Sequence, residues 1–91
     1  MKSTELILQE IIVLLEATQE TNWSKSFRSF QQSLNDCVND LERANVKAQL
    51  RRIFGGMGSF SDFVFYENGK PLIDENNQLE MLRRELYDSL R

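Results

Sequence analysis

Apolar residues recur at helical spacing along most of this chain, and the pattern breaks only once, around residues 54–66. Over residues 4–20, Glu5, Gln9, Glu16 and Glu20 fall within about 60° of one another on a helical projection, with Ile7, Leu8, Ile11, Leu14 and Leu15 opposite. Nine of the twelve positions from Leu6 to Ala17 are apolar, including Leu6 and Val13 beside the polar stripe, so this helix requires cover on more than one face. Several neighbouring helices, or a second chain packed on one side, would supply it.

Thr21 and Asn22 break that pattern, and either suits the cap of a second helix over about 22–35. Trp23, Phe27, Phe30 and Leu34 form its stripe, read as core rather than as an aromatic binding platform. Asn35-Asp36 suits a new start. Asp36, Asp40 and Glu42 come early and Arg43, Lys47, Arg51 and Arg52 late, the order that complements a helix macrodipole between about 36 and 54. Val38, Leu41, Leu50, Ile53 and Phe54 would make its apolar face.

The interruption follows. Gly55 after Phe54 is a helix stop, because glycine takes the left-handed conformation without a Cβ penalty. Gly56 and Gly58 exceed that need and point to close backbone packing or positive φ, so Gly56→Val is expected to destabilise by more than about 1 kcal/mol. Ser59 and Asp62 have capping-box spacing, which allows one helical turn at 59–62. Phe63-Val64-Phe65-Tyr66 then favours a strand, and Asn68-Gly69 is a strong two-residue hairpin signal, with Pro71 admissible only at an edge. The reading is a hairpin of 63–67 with 70–73, Gly69 in its turn. Asp74 and Glu75 open a last helix with Leu79, Leu82, Leu86 and Leu90 as its core stripe and Arg83, Arg84 and Arg91 toward its end. The expected fold is mainly α: a single-domain bundle of about four helices over 1–91 with a short β-hairpin between the third and last helix, an all-α chain being the alternative.

Composition narrows the function more than it names it. With 91 residues, one compact core is the ceiling. The longest apolar run, Ile11 to Leu15, is far short of the roughly 20 residues that cross a bilayer. Gln9 and Glu10 interrupt what would be the apolar region of a signal peptide, so the expected location is cytoplasmic. The single Cys37 reads as a small, partly buried hydrophobe. The absence of histidine removes Ser-His-Asp and Cys-His nucleophiles and the commonest zinc ligand.

Candidate chemistry weakens further on inspection. The glycines follow a helix, whereas phosphate cradles place them before one with a Lys-Ser/Thr pair, which argues against nucleotide binding. Asp36 and Asp40 at helical spacing lack a third metal ligand and read as solvated acids. Arg43, Lys47 and Arg51 form an i+4 ridge, but net charge is −3 and no aromatic signature accompanies it, so nucleic acid is not expected. No enzyme activity and no cofactor are expected. The charge is uneven: residues 1–24 carry one base and four acids, 25–54 six bases and three acids, and 55–91 four bases and seven acids. Acidic outer segments suit a basic protein partner, with Asp62, Glu67, Asp74 and Glu75 around the hairpin as the residues to meet it.

Phe54-Gly55-Gly56-Met57-Gly58-Ser59-Phe60-x-Asp62, with a tryptophan-led helix before it and a hydrophobic run after it, resembles the signature of a family of small, largely uncharacterised bacterial proteins. The resemblance covers about Trp23 to Leu72 and implies a bacterial, mostly helical, single-domain protein; it transfers no catalytic residue. By analogy with other small acidic bacterial proteins, the expectation is an immunity or antitoxin protein that binds a basic toxin domain stoichiometrically. A structural homo-oligomer or adaptor using helix 4–20 is the alternative, and a metal- or nucleotide-binding enzyme stands third.

Overall fold

The computed structural model describes residues 2–54 and 60–90. Gly55, Gly56 and Gly58, with the turn start at Ser59, lie outside the described residues, and so does the expectation for Gly56→Val. The elements are α1 (Thr4–Ala17), α2 (Thr21–Asn35), α3 (Asp40–Arg52), a 3₁₀ turn (Phe60–Asp62), β1 (Tyr66–Glu67), β2 (Lys70–Pro71) and α4 (Ile73–Ser89). This is the expected four-helix architecture with a short antiparallel hairpin between the third and last helices.

α1 is the central helix and packs against both α2 and α4. Ile7, Leu8, Ile11, Ile12, Leu14 and Leu15 are buried against Phe27 and Leu34 of α2, Leu50 of α3, and Leu79, Leu82, Leu86 and Leu90 at the other end of the chain. Burying a side chain of this size contributes roughly 1.5–3 kcal/mol, so this cluster is the principal source of stability. Leu6 and Val13 stay exposed. The buried hydroxyl of Thr4 donates to Ser89 Oγ (3.0 Å), which donates to the carbonyl of Leu86 (2.7 Å), closing the α1 start onto the α4 end without an orphaned polar group. Lys2 reinforces that closure with ion pairs to Glu10 (2.8 Å) and Glu85 (3.1 Å), and these hold its ammonium above the ordinary lysine range.

The first helix ends earlier than its apolar pattern implies. Gln19 takes a left-handed φ of 62° and donates to the carbonyl of Glu16 (3.1 Å), while Glu20 N–H reaches Leu15 (2.8 Å). These two bonds are a Schellman closure, made here without glycine. Glu20 is also the N-cap of α2, its carboxylate accepting from the N–H groups of Asn22 (3.0 Å) and Trp23 (3.2 Å). Neither Thr21 nor Asn22 is the cap, because the tight Schellman turn leaves the helix no residues to spend before restarting.

α3 likewise starts later than residue 36. Asn39 caps it by accepting from Glu42 N–H (2.8 Å), and Glu42 reaches back to Val38 N–H (2.7 Å). The delayed start removes Val38 and Leu41 from the apolar face; they are 82% and 72% exposed, and only Leu50 of the expected set is fully buried. Cys37 is half-buried in that joint, its thiol directed at the carbonyl of Ser33 (3.1 Å). The expected charge sorting does hold for α3, with Asp40 and Glu42 in its first turn and Arg51 and Arg52 in its last.

Candidate interaction site: the hairpin and its support

Past α3 the chain folds back on itself. Phe60 N–H donates to the carbonyl of Ile53 (2.8 Å) and the Ser61 hydroxyl to that of Phe54 (3.0 Å), so the 3₁₀ turn lies against the end of α3. Phe60 is buried and centres an aromatic cluster: Phe27 at 4.7 Å, Trp23 at 5.0 Å, Phe54 at 6.1 Å and Phe63 at 6.3 Å between ring centroids. Three of these contacts are edge-on or tilted and the one with Phe63 is stacked, and aromatic pairs of this kind contribute about 0.5–1.5 kcal/mol beyond the area buried.

Two side chains of α4 then hold the backbone that leads into the hairpin. Arg83 Nη1 donates to the carbonyl oxygens of Phe60 (2.8 Å), Ser61 (3.2 Å) and Phe63 (2.8 Å), and Nη2 pairs with Glu80 (3.0 Å). Arg83 therefore does not complement its own helix end, as its position in the sequence suggests; it satisfies the carbonyls of a different segment. Asn76 accepts from Phe65 N–H (2.8 Å) and donates to the Phe65 carbonyl (3.1 Å), which also accepts from Leu72 N–H across the ribbon (3.0 Å), so only the Phe65 N–H is withdrawn from strand pairing. Because these side chains take the Phe63 carbonyl and the Phe65 N–H, and helix α4 begins at Ile73, the ladder is shorter than 63–67 with 70–73. The turn itself matches expectation: Asn68 and Gly69 have φ of 54° and 79°, the paired positive angles of a type I′ turn.

The resulting surface alternates. Phe65 is buried, and Phe63 and Leu72 pack on the core. Val64, Tyr66 and Ile73 face outward, Tyr66 at 65% and Ile73 at 69% exposed. Asp62 ends the 3₁₀ turn, Glu67 sits in β1, and Asp74 and Glu75 occupy the first turn of α4, where the helix dipole favours acids. All four lie in the segment that carries the outward apolar residues, Glu75 half-buried and the others exposed. None of the four takes an ion pair or side-chain hydrogen bond among the described residues, whereas Glu5, Glu10, Glu16, Glu42 and Glu80 each hold a partner. Lys70, opposite Glu67 in the ladder, is the one base in this segment.

The other features weighed in the sequence are used internally. Arg43 pairs with Glu5 (2.8 Å), which raises its pKa further, and Arg51 donates to the carbonyl of Leu90 (2.7 Å), so two of the three bases of the α3 ridge serve the fold. Among the described residues no group of three or more acidic, cysteine or histidine side chains is placed to hold a metal ion, and no helix is long and apolar enough to cross a membrane. Arg83, Asn76 and the outward pair Val64 and Tyr66 were not identified from the sequence as parts of a site. The alternation Phe63-Val64-Phe65-Tyr66 carried the signal for the last two, since a strand read at period two places them opposite the phenylalanines.

The described residues form a small helical bundle with an acidic, partly apolar hairpin between its third and last helices. Residues 16–73 match a family model described as a domain of unknown function, DUF6966, and since that match takes in more than half of the chain, the protein belongs to this family. The matched region runs from the last turn of α1 through the hairpin to the first residue of α4. No curated protein and no solved structure matches the chain.

Proposed function

We propose that this protein is a binding module, not an enzyme: a small cytoplasmic inhibitor of bacterial immunity or antitoxin type that docks a basic partner protein, such as a toxin domain, through the outward face of its hairpin. The observation that carries the reading is the exposure of Val64, Tyr66 and Ile73 in a segment that also holds four carboxylates with no ion pair or side-chain hydrogen bond among the described residues. Exposed tyrosine supplies a large, rigid contact with a polar end, the type of residue that dominates interface energetics. Unpaired carboxylates around it steer a basic partner and fix its register.

The test uses the product of the adjacent gene co-expressed with this chain. The expected result is a one-to-one complex that restores growth, weakens with salt, and loses about tenfold or more in affinity with Tyr66→Ala or with Glu67→Lys. A complex that forms undiminished with both variants, or no rescue by the wild-type chain, overturns the proposal.

A second reading has its own observation. Leu6 and Val13 lie on one face of α1, and Val13 and Met81 of α4 border the same surface cleft, all three exposed. A second copy covering this face would make the chain a homo-oligomer. Light scattering at micromolar concentration decides it, because a mass of 10.7 kDa excludes the dimer.

A further inference from the structure

The hairpin is open on one edge only, and the hydrogen bonds show which. Leu72 N–H donates to the Phe65 carbonyl (3.0 Å), and the registered pairs are Tyr66 with Pro71 and Glu67 with Lys70. In an antiparallel ladder bonded and non-bonded pairs alternate, so Glu67 and Lys70 exchange bonds across the ribbon while the N–H and carbonyl of Tyr66 point off its outer edge. The same alternation runs backward along the chain. The Phe63 carbonyl is taken by Arg83 and both backbone groups of Phe65 by Asn76 and Leu72, which turns Val64 outward with Tyr66. No described residue bonds the backbone of Val64 or Tyr66.

The opposite edge is closed by chemistry. Lys70 is spent on Glu67, and Pro71 has no N–H to offer. A free edge of donors and acceptors is a template for a further strand, and most folds shorten, cover or charge such an edge. Here β1 is short, but the chain that leads into it is fixed by Arg83 at Phe63 and by Asn76 at Phe65, and Val64 and Tyr66 on either side of Phe65 are exposed.

We infer that the partner of this protein binds by strand addition: an extended segment with basic residues pairs its backbone with Val64 and Tyr66 along the free edge of β1 and the residues leading into it. This rests on the docking role of the hairpin and specifies it. Main-chain bonds provide sequence-tolerant affinity, and alternate side chains of the added strand meet Tyr66 on one face. Charge selects the occupant, since the segment from Asp62 to Glu75 holds four unpartnered carboxylates against Lys70 alone.

The probe is an acetylated and amidated Lys-Val-Lys-Val-Lys-Val peptide titrated into the full chain and followed by backbone amide NMR. In the free protein the Val64 and Tyr66 amides are expected to exchange with water nearly unprotected, while those of Phe65 and Leu72 are protected. Saturation with peptide should shift and protect Val64 and Tyr66. Two methylated peptides complete the experiment, one N-methylated on every lysine and one on every valine. Strand addition uses one set of amides, so one methylated peptide should lose at least about tenfold in affinity and the other stay within about twofold. Protection of Val64 and Tyr66 in the free protein overturns the inference. Equal binding of all three peptides at the hairpin overturns it too while leaving side-chain docking there in place. Shifts confined to α1 and α4, or no saturable shift, remove the docking role as well.

Discussion

The guanidinium of Arg83 lies 5.8 Å from the centroid of the Phe60 ring, and the same group donates to the carbonyl of Phe60 at 2.8 Å. One residue is thereby held by both its side chain and its backbone, and the holder is a charged group whose side chain is only 12% exposed. Arg83→Met keeps the apolar stem and removes the donors, leaving three carbonyl oxygens without this partner. Hydrogen bonds to charged groups contribute about 1.5–3 kcal/mol, so the variant should lose about 2 kcal/mol of stability. Arg83→Lys should recover part of that loss, since an ammonium reaches fewer of the three oxygens. Urea unfolding followed by Trp23 fluorescence measures both, because the indole lies 5.0 Å from Phe60.

Phe60→Ala tests the cluster from the other side. Removing a fully buried phenylalanine ring costs about 3–5 kcal/mol, a large part of what a domain of this size possesses. The variant should be largely unfolded at moderate temperature, with loss of near-ultraviolet circular dichroism. Phe60→Leu, which refills much of the volume, should remain folded with a lowered melting temperature.

Helix content, helix order and the hairpin turn were legible in the sequence because each rests on a local signal. Trp23, Phe27 and Leu34 repeat at helical spacing, and Asn68-Gly69 favours positive φ at both positions. The joints were less legible. Gln19 closes α1 in a conformation usually left to glycine, and Glu20 caps α2 although glutamate is a poor marker of helix starts. Arg83 and Asn76 were hidden for a different reason: their partners stand at separations of 11 to 23 residues, and no periodicity records a side chain reaching across to another segment's carbonyls. The acids around the hairpin were identifiable by charge, but the freedom of the β1 edge depends on register, which only the ladder supplies.

The closure at Gln19 makes a stabilising substitution available. A non-glycine residue at φ 62° bears roughly 1 kcal/mol of strain that glycine avoids. Gln19→Gly should therefore gain about 0.5–1 kcal/mol despite the greater chain entropy of the unfolded glycine. Glu20→Ala should lose about 1 kcal/mol by uncapping α2. Opposite signs at adjacent positions, read from chemical denaturation, distinguish this joint from an ordinary surface loop.

Lys2 gives a pH dependence with a defined direction. Hydrogen bonds from its ammonium to Glu10 and Glu85 raise its pKa above the ordinary value of 10.5. A base whose folded pKa exceeds its unfolded one adds stability that is complete below the unfolded value and disappears as pH rises through the folded value. The link between the α1 start and the end of α4 should thus be constant through neutrality and weaken above about pH 10.5. Lys2→Met should flatten that alkaline decline relative to wild type, and added salt should diminish the difference at neutral pH, as expected of an exposed pair. Melting temperatures between pH 7 and 11 at two salt concentrations provide the comparison.

Gly69 separates the hairpin's conformation from its contacts. Its φ of 79° belongs to glycine, yet a Cβ added there would meet nothing within 4 Å. The cost of Gly69→Ala is therefore torsional, about 1 kcal/mol, with no clash to relieve. Gly69→Asn should cost less, because asparagine visits the left-handed region more readily. The core does not depend on the turn, so global unfolding should shift modestly. Hydrogen exchange at Glu67 and Leu72, whose amides depend on the closed ribbon, should accelerate much more than exchange in α1. If strand addition needs a preformed edge, peptide affinity should fall in the order wild type, Gly69→Asn, Gly69→Ala. An unchanged affinity across the series, with exchange at Leu72 accelerated, would separate the binding surface from the ribbon.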